Sequence, residues 1–134
     1  MTMGNKLKTF TYKDIVLDRG APGELLSIEM DPMGKYESID LKNMKMAQSS
    51  FPLLEDHDYQ KCIGAVEVRP DLKTNTLYGD IISEHNLSGR YPSIGFEIVE
   101  MYEQDGKTFI TKAVLKNVGV CAAVNIDPSI PPIQ

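Results

Sequence analysis

The sequence predicts a mainly β fold with few short helices, and three observations support it. Apolar and charged residues alternate over residues 66–69, which is the period of a half-buried strand. Asp105-Gly106 separates two segments rich in branched and aromatic residues, the strongest short-range signal of a β-hairpin. Residues 115–124 are apolar or small on both faces, which is typical of a central strand.

The remaining strands follow from composition and turn chemistry. Branched and aromatic residues over 6–18 and 24–30 predict two strands, which the glycine-rich segment 20–23 could join as a hairpin. Residues 76–82 are expected to pair with 62–69 across a polar turn at 71–75. The Asp-Gly hairpin joins residues 93–102 to residues 107–114.

Little of the chain is left for helices. Only residues 83–90 and parts of 31–48 leave room for them, and Met44 and Met46 alternate within the second region. From about residue 125 the chain is rich in proline, which cannot donate to a regular β-ladder, so an extended tail is expected. We therefore predict one domain over residues 1–134 with this tail at its end.

Composition limits the classes of function. A chain of 134 residues can bury roughly two thirds of the surface that it exposes when unfolded, so neither disulfide nor metal is required for folding. A net charge of -5 disfavours nucleic acids and anionic membranes as partners, which makes a protein partner the expectation. No apolar run approaches the roughly 18 residues of a membrane span, and the first residues lack the apolar core of a signal peptide. A cytosolic protein is expected.

The two cysteines favour a structural interpretation. Cys62 and Cys121 lie in apolar stretches without Cys-x-x-Cys spacing, which indicates buried, reduced thiols. Together with His57 and His85 they would complete a four-ligand zinc site, but nothing in their spacing supports one.

Ser93 and His57 are the residues that suggest catalysis. A serine hydroxyl becomes a useful nucleophile only when a base within hydrogen-bond reach takes its proton. His57 follows Asp56 in a polar segment, and Ser93 begins a segment that contains Gly95. The pair indicates a serine hydrolase.

Other interpretations of these residues stay open. Ser93 is also explained as a small residue near the start of a strand, and His57 as a loop histidine kept protonated by its acidic neighbours. His85 is a competing base and Cys121 a competing nucleophile. Gly119 is a position where another backbone could approach closely, or alternatively a bulge.

Four segments, taken in order, resemble a known family. They are His57-Asp58, Ile63-Gly64-Ala65-Val66, Ser93-Ile94-Gly95-Phe96 and the strand of residues 115–121. This succession resembles the capsid maturation (prohead) proteases of tailed phages, which in turn resemble the herpesvirus assemblins. The resemblance covers about residues 6–127, and its weight comes from the order of the segments.

The resemblance implies a fold and a site. The fold would be a closed or partly closed β-barrel of the herpesvirus-protease type. Ser93 would be the nucleophile, His57 the general base and Asn117 the third member of the triad. This third residue is typically acidic in phages and histidine in herpesviruses, so Asn117 is a departure. An amide can still orient an imidazole, although it stabilises the imidazolium less than a carboxylate does.

The function implied by the resemblance is that of a serine endopeptidase that cleaves scaffold or major capsid protein during phage head assembly. No cofactor, nucleic acid or membrane is implied, and a homo-oligomer is left open. The protein would act in the host cytoplasm, within the assembling prohead or virion. The alternative is a non-catalytic capsid component, a minor or decoration protein that retains the barrel.

Overall fold

The structure is a computed structural model that describes residues 8–20, 27–28, 39–104, 107–122 and 129–134. Within these residues strands dominate and the one helical element is a single 3-10 turn, which confirms a mainly β fold. The elements are β1 (Phe10–Arg19), β2 (Ser27–Ile28), the 3-10 turn (Leu41–Asn43), β3 (Met44–Lys45), β4 (Ser50–Glu55), β5 (Cys62–Asp71), β6 (Thr76–Ser83), β7 (Tyr91–Gln104) and β8 (Lys107–Cys121).

The strands form one sheet in which β8 is central. The sheet runs in the order β1-β6-β5-β4-β8-β2, and β7 pairs with β8 along nearly its whole length. The edge of β8 opposite β7 therefore pairs in succession with β2, β3 and β4. β4 runs parallel to β8, whereas β7 is antiparallel to it. The prediction of a central last strand is confirmed, although that strand is longer than expected because residues 107–121 are continuous.

The sheet of the described residues is not closed into a barrel, so the closed form of the fold that the resemblance implied is wrong. β1 and β7 contact each other, but no ladder of the described chain joins them. β1 is irregular, with two register shifts against β6 and a left-handed residue, Asp14, at φ 56°. Bulges of this kind bend an edge strand and interrupt its ladder, and closure requires a continuous stagger around all strands.

Two of the three predicted hairpins are confirmed. β5 pairs antiparallel with β6 up to Asp71 and Thr76, and β7 pairs antiparallel with β8 up to Gln104 and Lys107. The Asp-Gly turn itself lies outside the described residues. The prediction of a hairpin between the first two strands is wrong, because β1 pairs with β6 while β2 pairs with β8. Tertiary pairing, not the intervening glycines, decides where these strands lie.

The segments in which the sequence allowed helices contain almost no helix in the described part of the chain. Residues 84–90 form turns, and the described part of 31–48 contains only the 3-10 turn. The Asp40 side chain caps that turn by accepting a hydrogen bond from the Lys42 N–H at 3.2 Å. Asn75 Oδ1 accepts another from the Leu41 N–H at 3.0 Å, which ties the turn to the β5–β6 hairpin.

Alternation along the strands separates the core from the outer face. Val66 and Val68 of β5 are buried while the charged residues between and after them are exposed, as predicted. In β8, Val118 and Val120 face the core with no exposed surface, so Gly119 between them lies on the opposite face. That outer face of β8 carries Asn117, which is nevertheless buried, and His57 and Tyr59 of the loop after β4 contact it.

The described part of the proline-rich tail, residues 129–134, is attached to the chain before β7. Ile130 and Ile133 are buried. The Ile133 carbonyl accepts a hydrogen bond from the Gly89 N–H at 2.7 Å, and the Ile133 N–H donates to the Arg90 carbonyl at 2.9 Å. The tail thus supports the segment that leads into Ser93. Among the described residues no helix has the length and apolar character needed to cross a membrane.

Candidate active site

Ser93 and Asn117 lie on neighbouring strands on the outer face of the sheet. In the β7–β8 ladder Ser93 is opposite Gly119, and Gly95 is opposite Asn117. Residues two apart on a strand point to the same face, so Asn117 and Gly119 share the outer face of β8. The observed β7–β8 hairpin therefore supplies two of the three candidate residues.

His57 reaches this face from the loop that follows β4. Asp56 and His57 both have left-handed backbone conformations, at φ 50° and 60°. Asp and His are among the non-glycine residues that tolerate this region best, and such strain concentrates at functional sites. The Asp56 N–H donates to the Val120 carbonyl at 3.1 Å, which fixes the start of the loop on β8.

Hydrogen bonds within the loop close it tightly. The Glu55 N–H donates to the Lys61 carbonyl at 3.0 Å, and the Asp58 N–H donates to the Glu55 carbonyl at 3.0 Å. The Asp58 carboxylate also accepts from the Gln60 N–H at 2.9 Å. These bonds close the segment between β4 and β5 and place the His57 backbone beside the outer face of β8.

The three side chains form a continuous hydrogen-bonded chain. His57 Nε2 lies 3.1 Å from Ser93 Oγ, and His57 Nδ1 lies 2.7 Å from Asn117 Oδ1. A carbonyl oxygen only accepts, so Nδ1 carries a proton and its N–H donates a hydrogen bond to Asn117 Oδ1. In the neutral ring with this tautomer, Nε2 carries no proton and accepts a hydrogen bond from the Ser93 hydroxyl. This is the arrangement expected of a nucleophile, its base and the residue that orients the base.

Two glycines make space for this arrangement. A Cβ at Gly119 would lie 2.7–2.9 Å from three atoms of the His57 ring, and a Cβ at Gly95 would collide with the side-chain amide of Asn117. The imidazole therefore lies directly over Gly119, and the amide over Gly95. The sequence indicated a close approach at Gly119, but the group that approaches is a side chain rather than a backbone.

Tyr59 is a site residue that the sequence analysis did not identify. The Asn117 side chain is buried at 5% exposure, and its Nδ2 donates a hydrogen bond to the Tyr59 hydroxyl at 3.0 Å. A buried amide needs a partner for its N–H as well as for its oxygen, but the sequence does not show which residue provides it. The only signal was the position of Tyr59, two residues after His57.

Cys121 lies on the same face of β8 but is not suited to be the nucleophile. Burial raises the pKa of the Cys121 thiol, and the charge of Asp56 together with its hydrogen bond to the thiol raises it further, while Arg90 lowers it. A raised pKa reduces the fraction of thiolate, which is the reactive form. Cys121 is half-buried, and Cys62 is exposed rather than buried as predicted.

An open groove of about 450 Å³ adjoins the His57–Asn117 pair. Apolar side chains of β7 form one wall of the groove. The Tyr59 ring and residues of β8 form the rest of its lining. Its lining residues are His57, Tyr59, Ile94, Gly95, Phe96, Ile98, Lys116 and Asn117. The groove lies beside His57 and Asn117, and Ser93 is not among its lining residues.

The competing residues lie apart from this arrangement. His85 is exposed in the turn after β6 and lines a separate groove with Cys62 and Ser83, a groove that includes neither Ser93 nor His57. In the described part of the chain, no group of three or more histidine, cysteine or acidic side chains is arranged to hold a metal ion. The four residues considered for zinc are therefore not assembled into one site.

The chain was compared with protein families, with curated proteins and with solved structures, and none of these comparisons found a match.

Proposed function

We propose that this protein is a serine endopeptidase in which Ser93 is the nucleophile, His57 the general base and Asn117 the residue that orients the base. The observation that carries this proposal is the hydrogen-bonded chain from Ser93 Oγ through the imidazole to Asn117 Oδ1. These three side chains come from separate segments of the sequence, 36 and 60 residues apart. Local sequence effects alone do not bring such segments together.

In the first half of the reaction Ser93 Oγ attacks the carbonyl carbon of a peptide bond. His57 Nε2 accepts the hydroxyl proton as the new C–O bond forms, which makes the ring an imidazolium. The imidazolium then gives this proton to the nitrogen of the leaving amine, and the C–N bond breaks. An acyl-serine and a free amine terminus result.

In the second half a water molecule attacks the acyl-serine. His57 Nε2 takes a proton from the water and returns it to Ser93 Oγ when the ester bond breaks, which releases the carboxylic acid. Asn117 remains hydrogen-bonded to Nδ1 throughout. Its carbonyl dipole favours the charged ring, although less strongly than a carboxylate would.

The substrate assignment rests on the resemblance of the His57 and Ser93 segments and the late β-strand to phage prohead proteases. By that resemblance the substrate is scaffold or major capsid protein, and the site of action is the assembling prohead in the host cytoplasm. The groove beside His57 and Asn117 supports a peptide substrate, because its apolar wall suits a side chain of the substrate. A partly closed barrel of the herpesvirus-protease type is the corresponding fold proposal, supported by the contact between β1 and β7.

The uncharged Asn117 favours a second candidate, a non-catalytic minor or decoration protein of the capsid. A neutral amide reduces the stabilisation of the imidazolium, which is the change expected where a protease-like domain has lost its activity. This candidate predicts capsid binding without cleavage.

The decisive experiment combines labelling with processing. The wild-type protein, Ser93→Ala, His57→Ala and the control Ser88→Ala are treated with a fluorophosphonate probe, and each is co-expressed with the scaffold and major capsid proteins of its own phage or prophage. We expect covalent labelling at Ser93 and cleaved products for the wild type and Ser88→Ala only. Equal processing by Ser93→Ala and wild type refutes the mechanism. Binding to capsid protein without labelling or cleavage supports the non-catalytic candidate.

A further inference from the structure

We infer that Tyr59 is a positioning residue of this site, whose hydroxyl holds the Asn117 amide in the orientation that makes His57 a base. The inference rests on the proposed function, since the orientation matters only if His57 accepts a proton from Ser93. Tyr59 does not touch the nucleophile, and its effect passes through Asn117.

The orientation of the amide determines the tautomer of His57. With Oδ1 towards the ring, Nδ1 is protonated and Nε2 is free to accept the Ser93 proton. A reversed amide would direct its Nδ2–H groups at Nδ1, which would move the ring proton to Nε2. A protonated Nε2 cannot act as the base, so one amide orientation supports the reaction and the other prevents it.

The reaction itself demands the observed orientation. Once His57 has taken the proton from Ser93, both ring nitrogens are donors, and a reversed amide would present a third donor to Nδ1. The observed orientation needs an acceptor for Nδ2–H instead. The Tyr59 oxygen provides one at 3.0 Å, within a site where Asn117 is only 5% exposed.

The exposure of Tyr59 separates this role from a packing role. Tyr59 is 64% exposed, so its ring contributes little to the core. Tyr59→Phe keeps the ring as a wall of the groove and removes only the acceptor of the Asn117 Nδ2–H. Loss of the hydroxyl is therefore expected to change the state of His57 and to lower the melting temperature modestly, because a buried amide N–H loses its partner, while substrate affinity stays nearly unchanged.

The test compares Tyr59→Phe with wild type and with Tyr102→Phe, a variant that removes a hydroxyl from the stacked Tyr102–Phe109 pair of the β7–β8 hairpin. The rate of Ser93 labelling by a fluorophosphonate probe is measured across pH, and ¹⁵N chemical shifts of the imidazole report the His57 tautomer. We expect Tyr59→Phe to slow labelling roughly three- to tenfold, the effect of one lost hydrogen bond. For Tyr59→Phe we also expect the acid limb of the pH dependence of labelling to move to lower pH. The fraction of the His57 tautomer that is protonated at Nε2 should increase. Tyr102→Phe should match the wild type.

The outcomes separate this inference from the proposed function. A wild-type tautomer ratio in Tyr59→Phe, or a wild-type labelling rate at every pH, overturns the role of Tyr59 while Ser93 remains the nucleophile. Failure of the wild type to be labelled contradicts the proposed function. In that case the tautomer measurement still decides whether Tyr59 holds the amide, because it requires no turnover.

Discussion

The imidazole of His57 lies over Gly119, with three ring atoms only 2.7–2.9 Å from the position that a Cβ would occupy. Gly119 is in turn the ladder partner of Ser93. The absence of one side chain on β8 thus allows a histidine from the β4–β5 loop to reach a serine on β7. This contact is the geometric basis of the candidate site.

The first prediction follows from that contact. Gly119→Ala should displace the imidazole and reduce Ser93 labelling at least roughly 100-fold, since a shift of about 1 Å in a reacting group has this effect. The matched control is Gly79→Ala, where the new Cβ would press on Leu17 and Val66 in the core. We expect this control to lower stability by about 1–3 kcal/mol while the folded fraction is labelled at the wild-type rate. Normal labelling of Gly119→Ala would contradict the site.

The second prediction concerns the charge of the third residue. Asn117→Asp keeps an oxygen towards Nδ1 of His57, and the Tyr59 hydroxyl can donate to the other carboxylate oxygen. We expect Asn117→Asp to be labelled at least as fast as wild type, and Asn117→Ala to be slower by at least roughly tenfold.

Thermal melts of the same two variants test the opposite view. If Asn117 is only structural, the buried charge of Asn117→Asp should destabilise the fold by several kcal/mol, on the order of an unpaired interior carboxylate. A large fall in melting temperature for Asn117→Asp, together with unchanged specific activity in Asn117→Ala, would remove Asn117 from the site.

The third prediction concerns the two thiols. Because burial and the neighbouring Asp56 raise the pKa of Cys121, iodoacetamide should modify the exposed Cys62 first at neutral pH and Cys121 only at alkaline pH. Asp56→Asn removes the negative charge and should accelerate the reaction of Cys121, whereas the control Asp58→Asn should not. Peptide mass spectrometry measures both rates. Faster modification of Cys121 than of Cys62 at neutral pH would make Cys121 a candidate nucleophile again.

The fourth prediction is a dependence of stability on pH. The hydrogen bond from the Asp14 N–H, and then that from the Arg69 guanidinium, lower the pKa of Asp80 below its ordinary 3.8. A carboxylate with a lowered folded-state pKa stabilises the fold above its unfolded pKa, and this contribution is lost as pH falls through the folded value. Asp80→Asn should therefore be less stable than wild type at neutral pH by up to about 1 kcal/mol, as is usual for a surface pair.

Denaturant titrations at several pH values check this expectation. The difference between wild type and Asp80→Asn should begin to shrink near pH 3.8 and disappear below the lowered pKa. The exposed residue Glu84 provides a control, and Glu84→Gln is expected to have little effect at neutral pH. A difference that persists unchanged in strong acid would show that the carboxylate charge of Asp80 is not its cause.

Local sequence patterns predicted a large part of the strand arrangement of this protein. Alternation identified β5, and the Asp-Gly signal identified the β7–β8 hairpin, because strand period and turn chemistry are properties of neighbouring residues. The same alternation assigned Asn117 and Gly119 to one face of β8. Ser93 and His57 were identified from residue chemistry, whereas Asn117 was implied only by the resemblance of the ordered segments to a protease family.

Only the tertiary structure decided how distant segments meet. The sequence could not show that β1 pairs with β6 instead of β2, or that the described sheet stays open, since long-range pairing depends on the whole set of strands. The left-handed conformation of His57 and the hydrogen bond from Asn117 to Tyr59 were equally hidden. The hydrogen bonds of Asn117 to His57 and to Tyr59 join residues about 60 positions apart in the chain, and a local sequence pattern does not show which atoms the fold brings within hydrogen-bond distance.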